Sequence, residues 1–308
     1  MLKKGKDFLT LFDIDSEELS KILYLTEKVK KNDLSEYRDV LSGKNIGMIF
    51  EKPSTRTRVS FEVAINELGG KPIYLSSRDL QLKRGETISD TAKTFSRYLD
   101  GIVIRAYSHS DVEELANNAS IPVINALTDM YHPCQGIADI FTIKEKKGRI
   151  RNIRIGYLGD GNNVCHSLMI GAVMSGADIN IACPHGFEPE TEVYEAAKEI
   201  ADNNECKITI THDPKIAALD SDVIYTDVWV SMGQEESREE KEGAFLSFQV
   251  NQNLMSIAKN DAIFMHCLPA HRGEEVISEV IDGESSVVFD QAENRLHTQI
   301  ALLIYMWS

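Results

Sequence analysis

Five consecutive residues, Ser54-Thr55-Arg56-Thr57-Arg58, put three hydroxyls and two guanidinium groups into one short segment. An apolar run over 45–50 and then Pro53 precede them, and 56–68 follows with Phe61, Ala64, Ile65 and Leu68 at helical spacing. Pro53 ends the strand and disfavours a helical turn before it. Ser54 or Thr55 then caps the new helix, whose first amides have no partners inside it. Bare amides, hydroxyls and arginines at a helix start suit a phosphate or another oxyacid. The plain alternative is a capped helix with exposed arginines. Against it stands the charge of the chain, −15 from 48 acidic and 33 basic side chains, which makes such a cationic cluster unusual.

Other groups with chemical capacity lie at the ends of apolar runs. They are Arg105 after 101–105, His132-Pro133-Cys134-Gln135 beyond 122–125, Gly159-Asp160-Gly161-Asn162-Asn163-Val164 after 153–158, Asp227 after 222–225, and His266-Cys267 after 262–265. In open parallel sheets the carboxyl ends of strands face the ligand crevice. Taken singly, each has a structural reading: a satisfied histidine, a surface arginine, a turn aspartate. His266 and Cys267 do not make a protease dyad, because adjacent side chains on extended backbone point apart. No histidine or cysteine pair repeats at zinc-ligand spacing, so no metal is expected.

The elements that must carry these groups alternate along the chain. Strands are expected over 45–50, 72–75, 101–105, 122–125, 153–158, 178–183, 207–211, 222–225, 262–265 and 287–289. Helices are expected over 16–31, 56–68, 87–99, 135–145, 165–175, 189–203 and 251–258, and the run 300–307 reads as a core-facing terminal helix. Continuous apolar strands between amphipathic helices indicate parallel sheets covered on both faces, an α/β architecture. Ten strands fit two sheets better than one. The charged stretch 144–154 is the expected boundary, dividing 1–145 from 146–289, with 290–308 left for a terminal helix. The acidic run 235–243 is expected to be a long mobile loop.

The negative charge argues against nucleic acid and anionic membrane as partners. No apolar run approaches the length of a membrane span. The charged start, 1–10, lacks a signal peptide's apolar core, and five scattered cysteines lack a disulfide pattern. A reduced cytoplasm is the expected setting.

The Ser54–Arg58 segment resembles the carbamoyl phosphate motif of the aspartate and ornithine carbamoyltransferase family. Three more stretches agree with that family in order: His132-Pro133-Cys134-Gln135, Asp227-x-Trp229-x-Ser231-Met232-Gly233 and His266-Cys267-Leu268-Pro269-Ala270. The last two are similar to the branch that uses ornithine, since aspartate-using relatives typically have proline in place of Cys267. The resemblance implies two doubly wound parallel-sheet domains with a cleft between them and a terminal helix returning to the first. It implies transfer of the carbamoyl group of carbamoyl phosphate to the side-chain amine of L-ornithine, giving L-citrulline and phosphate in arginine metabolism.

It also implies roles. Carbamoyl phosphate would meet Ser54, Thr55, Arg56, Thr57, Arg105, His132, Gln135, Cys267, Leu268 and Arg295, with Gln81 arriving from a neighbouring subunit of a trimer or multiple of trimers. The family usually has glycine where Lys83 stands, which bears on the path of that loop. Ornithine would meet Asn163, Asp227, Ser231 and Met232, the last two closing over it, although Asn162 is chemically almost as good as Asn163. Arg105, His132 and Thr57 would stabilise the oxyanion, and Cys267 would lie beside the amine without being a nucleophile. No metal or organic cofactor is implied. The readings set against this are a carbamoyltransferase for putrescine or another amine, a nucleotide-dependent oxidoreductase using Gly159–Val164, and a non-catalytic relative.

Overall fold

The computed structural model describes residues 5–76, 85–230 and 238–308. The chain divides into two compact units, Met1–Ile137 with Asn294–Ser308, and Ala138–Glu293. Its elements run α1 Ser16–Lys30, β1 Asn45–Phe50, α2 Thr55–Glu67, β2 Lys71–Ser76, α3 Ile88–Tyr98, β3 Gly101–Arg105, α4 His109–Asn118, β4 Val123–Leu127 and α5 Pro133–Lys147. There follow β5 Arg154–Leu158, α6 Asn163–Met174, β6 Asp178–Ala182, α7 Thr191–Asn203, β7 Ile208–Thr211, α8 Pro214–Ala218 and β8 Val223–Thr226. The chain ends with α9 Arg238–Phe245, α10 Gln252–Ile257, β9 Ile263–His266, α11 Ser278–Ile281 and α12 Val288–Trp307.

In the first unit all pairings are parallel, in the order β2-β1-β3-β4. The central strands β1 and β3 are apolar almost throughout and buried on both faces, as helix-covered parallel strands must be. The order reverses between β1 and β3, and in open parallel sheets such a reversal is where ligands usually bind, at the carboxyl ends of the strands. The register of β3 against β4 shifts between Ile104 and Arg105, a bulge that re-aims the last side chain of β3. Polar side chains start the helices. Asp15 and Glu18 form a reciprocal capping box on α1, while Ser54, Thr87 and Ser108 cap α2, α3 and α4. The C-terminal part of α12 belongs to this unit. Its Trp307 fills the space a Cβ at Gly101 would need, at 2.5 Å, so only glycine fits where β3 begins. Tyr305 donates to Glu18, which also holds Lys6 at 2.7 Å and lies well below the usual carboxylate range, at about 2, through these bonds.

The second unit has the parallel order β7-β6-β5-β8-β9, reversing between β5 and β8. α6 is buried almost all round, consistent with its apolar sequence. No described helix is long and apolar enough to cross a membrane. All five cysteines are free.

Two expectations fail. The strand over 287–289 does not form: Val287 donates to Phe264 in a single bridge, and α12 starts at Val288, leaving Phe289 72% exposed. Instead of another strand, the side chain of Gln291 in the first turn of α12 accepts from the amide of His266, 2.9 Å away, at the end of β9. The acidic run is not loop throughout, since residues from Arg238 to Phe245 form α9. Lys241 and Phe245, one helical turn apart, both turn inward, and Phe245 packs with Trp229, Phe248 and Phe187.

Candidate active site

In the first unit the segment Ser54–Arg58 forms a capped helix start. Ser54 is extended (φ −159°, ψ 112°), and its hydroxyl accepts from the Thr57 amide at 3.3 Å. The first turn of α2 holds no acidic residue, so its dipole and free amides meet no competing carboxylate there. Thr57 is buried, whereas Thr55 and Arg56 are exposed. Arg58 lies elsewhere. It pairs with Glu62 at 2.9 Å and stacks at 3.7 Å over the Tyr74 ring, so only one arginine of the segment remains for an anion. Two positions apart on a helix means about 200° of rotation, which keeps the two guanidinium groups from one ligand.

Arg295 gathers the rest. Its Nη1 donates to Gln135 Oε1 at 2.6 Å and lies 3.5 Å from His132 Nε2, while Nη2 is 3.5 Å from Thr57 Oγ1. Thus one buried guanidinium from α12 joins the helix start of α2 to the helix start of α5. Arg105, 4% exposed, ends β3. Burial holds His132 well below the ordinary histidine value of 6.5, and the charges of Arg295 and Arg105 push the same way. His132 is therefore a neutral imidazole near pH 7, able to donate from one ring nitrogen and accept at the other. Cys134, next in sequence, is a core thiol pushed up to about 12 by burial, bonded to the Asn125 carbonyl at 3.4 Å. Lys52 is a nearly buried cation that sequence reading passed over, 4.6 Å from the Tyr107 ring. Gln81 and Lys83 lie outside the described residues.

The depressed His132 has a stability consequence. Below about pH 6.5 the unfolded chain binds a proton that the folded chain refuses, so stability falls as pH drops through that window. Buried His109 acts in the same direction. Denaturant unfolding between pH 7 and 5 is expected to show this slope, and His132→Gln to flatten it. An unchanged slope in the variant would show that His132 is protonated when folded.

In the second unit Asp227, 4% exposed, stands just beyond β8 and accepts from Asn162 Nδ2 at 3.0 Å and from the Cys267 thiol at 3.1 Å. Asn162 caps α6 through its Oδ1, which accepts from Val164 and Cys165. Its amide is thus committed at both ends, a positioning role for Asp227, and Asn163 next to it opens α6. His266 is saturated: Nδ1 accepts from the Leu268 amide at 2.9 Å, and Nε2 lies 3.2 Å from Glu275 Oε1. Burial pushes the Glu275 carboxyl up, but bonds from His266 and from the His271 amide outweigh it and leave it lowered. Both His266 ring nitrogens are therefore engaged, although the ring lies near Cys267, and Leu268 carries the turn in a left-handed conformation (φ +56°). Ser231 and Met232 lie outside the described residues.

The second glycine after β5, Gly161, serves packing. A Cβ at Gly161 would meet the Pro189 nitrogen at 2.3 Å, and the Gly161 amide donates to the Phe187 carbonyl at 2.9 Å. That close approach is to protein backbone, where a dinucleotide fingerprint uses it for pyrophosphate. Between the glycines, Asp160 meets a partner the sequence did not announce. Lys241 of α9 lies 2.6 Å from its carboxylate, the two side chains being 8% and 11% exposed. Burial raises Asp160, and Lys241 opposes it. Lys241→Met should cost about 3–5 kcal/mol by stranding a buried carboxylate. Adding Asp160→Asn should recover most of it. A loss in thermal unfolding below about 1 kcal/mol would mean the pair is solvated.

Three groups of described residues bring three potential metal donors within 4.8 Å: Asp227, His266 and Cys267; His271, Glu274 and Glu275; and His185, Glu188 and His212. In the first, the lone pair and proton of His266 are both in use. In the second, Glu275 Oε1 already takes two donors.

The halves of this chain match two family descriptions. Residues 6–145 match the carbamoyl-P binding domain of aspartate/ornithine carbamoyltransferase, and residues 151–306 match its Asp/Orn binding domain. An ornithine carbamoyltransferase of Thermococcus kodakarensis is 56% identical, covering 97% of this chain and 95% of its own. A catabolic ornithine carbamoyltransferase of Thermoplasma acidophilum is 54% identical, covering 98% and 99%. The solved ornithine carbamoyltransferase from Pyrococcus furiosus superposes with a TM-score of 0.94 at 53% identity, over 99% of this chain and 97% of that one. With both halves matched in order and relatives above half identity over nearly the whole chain, the chain belongs to the aspartate/ornithine carbamoyltransferase family.

Proposed function

We propose that the protein is an ornithine carbamoyltransferase, making L-citrulline and phosphate from carbamoyl phosphate and L-ornithine. The observation that carries this reading is the convergence of Thr57, His132 and Gln135 on Arg295 behind the Ser54-capped start of α2. Residues 1–145 with 290–308 would bind carbamoyl phosphate, and 146–289 ornithine. The phosphate rests on the first amides of α2 with Ser54, Thr55 and Arg56, and Arg295 and Gln135 complete its shell. Thr57, Arg105 and neutral His132 donate to the carbamoyl oxygen, where negative charge grows as the amine attacks.

The nucleophile needs preparation. An alkylammonium has a pKa of about 10.4 and must lose a proton before it can attack. Asp227 holds the α-ammonium of ornithine, aided by Asn163, and fixes the side-chain amine beside Cys267, while Leu268 contacts carbamoyl phosphate. The ammonium releases its first proton to solvent before the attack, and the departing phosphate takes the second, lost from the attacking nitrogen as the C–N bond forms and the C–O bond to phosphate breaks. Ser231 and Met232 would contact ornithine as well, and Gln81 would come from a neighbouring subunit, which makes the assembly a trimer or a multiple of trimers. The setting is a reducing cytoplasm and the pathway is arginine metabolism. Neither nucleic acid nor membrane is a partner, and no metal or organic cofactor takes part.

A panel of amines offered with carbamoyl phosphate tests the assignment, scored by phosphate release and by colorimetric detection of citrulline. Ornithine should be preferred by orders of magnitude. Preference for putrescine would move the protein to a sister activity. Cys267→Ser keeps a donor toward Asp227, so ornithine use should weaken about tenfold, near 1.4 kcal/mol, with transfer retained. Abolished transfer, with a carbamoyl thioester trapped on the parent enzyme, would make Cys267 a covalent nucleophile.

A further inference from the structure

We propose that His185, Glu188 and His212 form a binding site for a divalent transition-metal ion of the zinc type on the second unit. The site grows from the topology. β6 and β7 are parallel neighbours, His185 follows β6 within a short turn, and His212 directly follows β7. The imidazole rings lie 3.6 Å apart between centroids, inclined by 35°.

Two of the three donors are held in a form that can ligate. His212 Nδ1 lies 2.9 Å from the Cys183 carbonyl oxygen, which can only accept, so Nδ1 carries the proton and Nε2 presents a lone pair. A backbone carbonyl on the far nitrogen is the usual orienting partner of a metal-bound histidine. Glu188 is steadied likewise. Its Oε2 accepts from the Gly186 amide at 2.9 Å, while Oε1 lies 3.8 Å from His212 Nε2. Gly186 has φ +86°, the left-handed conformation that lets this turn fold the carboxylate back.

All three donor atoms lie within 4.8 Å of one another. Tetrahedral bonds of about 2.0–2.1 Å separate ligand atoms by about 3.4 Å, so the His212–Glu188 edge closes by a few tenths of an ångström, while the stacked imidazoles open until both lone pairs point at the ion. Two imidazoles with one carboxylate suit Zn²⁺, Co²⁺ or Ni²⁺ and not the oxygen-seeking Mg²⁺ or Ca²⁺. The residues are exposed, leaving the fourth position to water.

A bound ion would tie the carboxyl ends of β6 and β7 together and brace residues 183–190. That segment supports the turn ahead of Asn162, through the Gly161–Phe187 bond and a bond from the Glu190 amide to His166 Nε2 at 3.0 Å. The ion's role is structural.

Titration of the intact protein with Zn²⁺ alone, followed by calorimetry, should give one equivalent of micromolar binding and a raised unfolding midpoint. His185→Ala and Glu188→Gln should each weaken binding at least tenfold and remove the thermal shift, while Cys267→Ala and His271→Ala should not. Co²⁺ in place of Zn²⁺ should give visible bands without thiolate charge transfer. Absent binding, unchanged affinity in His185→Ala, or a thiolate band lost in Cys267→Ala would overturn the proposal.

Discussion

Arg56→Ala is expected to lower kcat/KM for carbamoyl phosphate by ~100- to 1000-fold, about 2.7–4 kcal/mol, the scale of losing one preorganised donor to a developing anion. The folded state should not suffer. Arg56 is exposed in the first turn of α2, a positive helix end where a cation is unfavourable until an anion arrives. Its removal should therefore leave the ligand-free protein as stable as before, or more stable by about 0.3–1 kcal/mol. Arg58→Ala is the internal control. It loses only an exposed pair with Glu62 and the stacking on Tyr74, so stability should change little and transfer should stay within a few-fold of the parent. Steady-state kinetics at sub-saturating carbamoyl phosphate and thermal unfolding check the pair. Near-normal kcat/KM in Arg56→Ala would remove the phosphate from α2.

The helix start at Ser54 was legible because everything that builds it is local. A proline stop, a capping hydroxyl and the apolar stripe of α2 lie within fifteen residues. The alternating fold was legible for a similar reason, since both-face burial writes itself into continuous apolar strands such as β1 and β3. The tenth strand failed for lack of that context. Val287-Val288-Phe289 has strand composition, but three residues are too few to decide, and Gln291 bonding back to His266 belongs to a helix. The acidic run 235–243 misled because its charges hid Lys241 and Phe245, one turn apart, which fix the inward face of α9.

Partners distant in sequence were beyond any spacing rule. Arg295 meets Gln135 across 160 residues and Thr57 across 238, and Lys241 meets Asp160 across 81. Resemblance to a family pointed to Arg295 and left Lys241 unseen. Composition could not tell Asn162 from Asn163 either. Geometry separates their tasks, because the cap on α6 and the bond to Asp227 occupy Asn162.

Asp227→Asn is expected to lower kcat/KM for ornithine by ~100- to 1000-fold while leaving carbamoyl phosphate affinity unchanged. The carboxylate receives two donors, Asn162 Nδ2 and the Cys267 thiol, one on each oxygen. An asparagine has one acceptor oxygen, so in this buried position one donor loses its partner, at about 1–3 kcal/mol. Removing the charge that would face the α-ammonium adds to the loss, and breaking a desolvated charge pair costs about 2–5 kcal/mol. The two effects separate experimentally. The lost hydrogen bond burdens every amine equally, whereas the lost charge matters only to substrates with an α-ammonium. Wild-type enzyme should prefer ornithine strongly over 5-aminopentanoate, which lacks that group, and in Asp227→Asn the preference should shrink at least tenfold. If the variant loses activity but keeps the full preference, Asp227 orders Cys267 and Asn162 without touching ornithine, and the amino-acid specificity must come from other side chains.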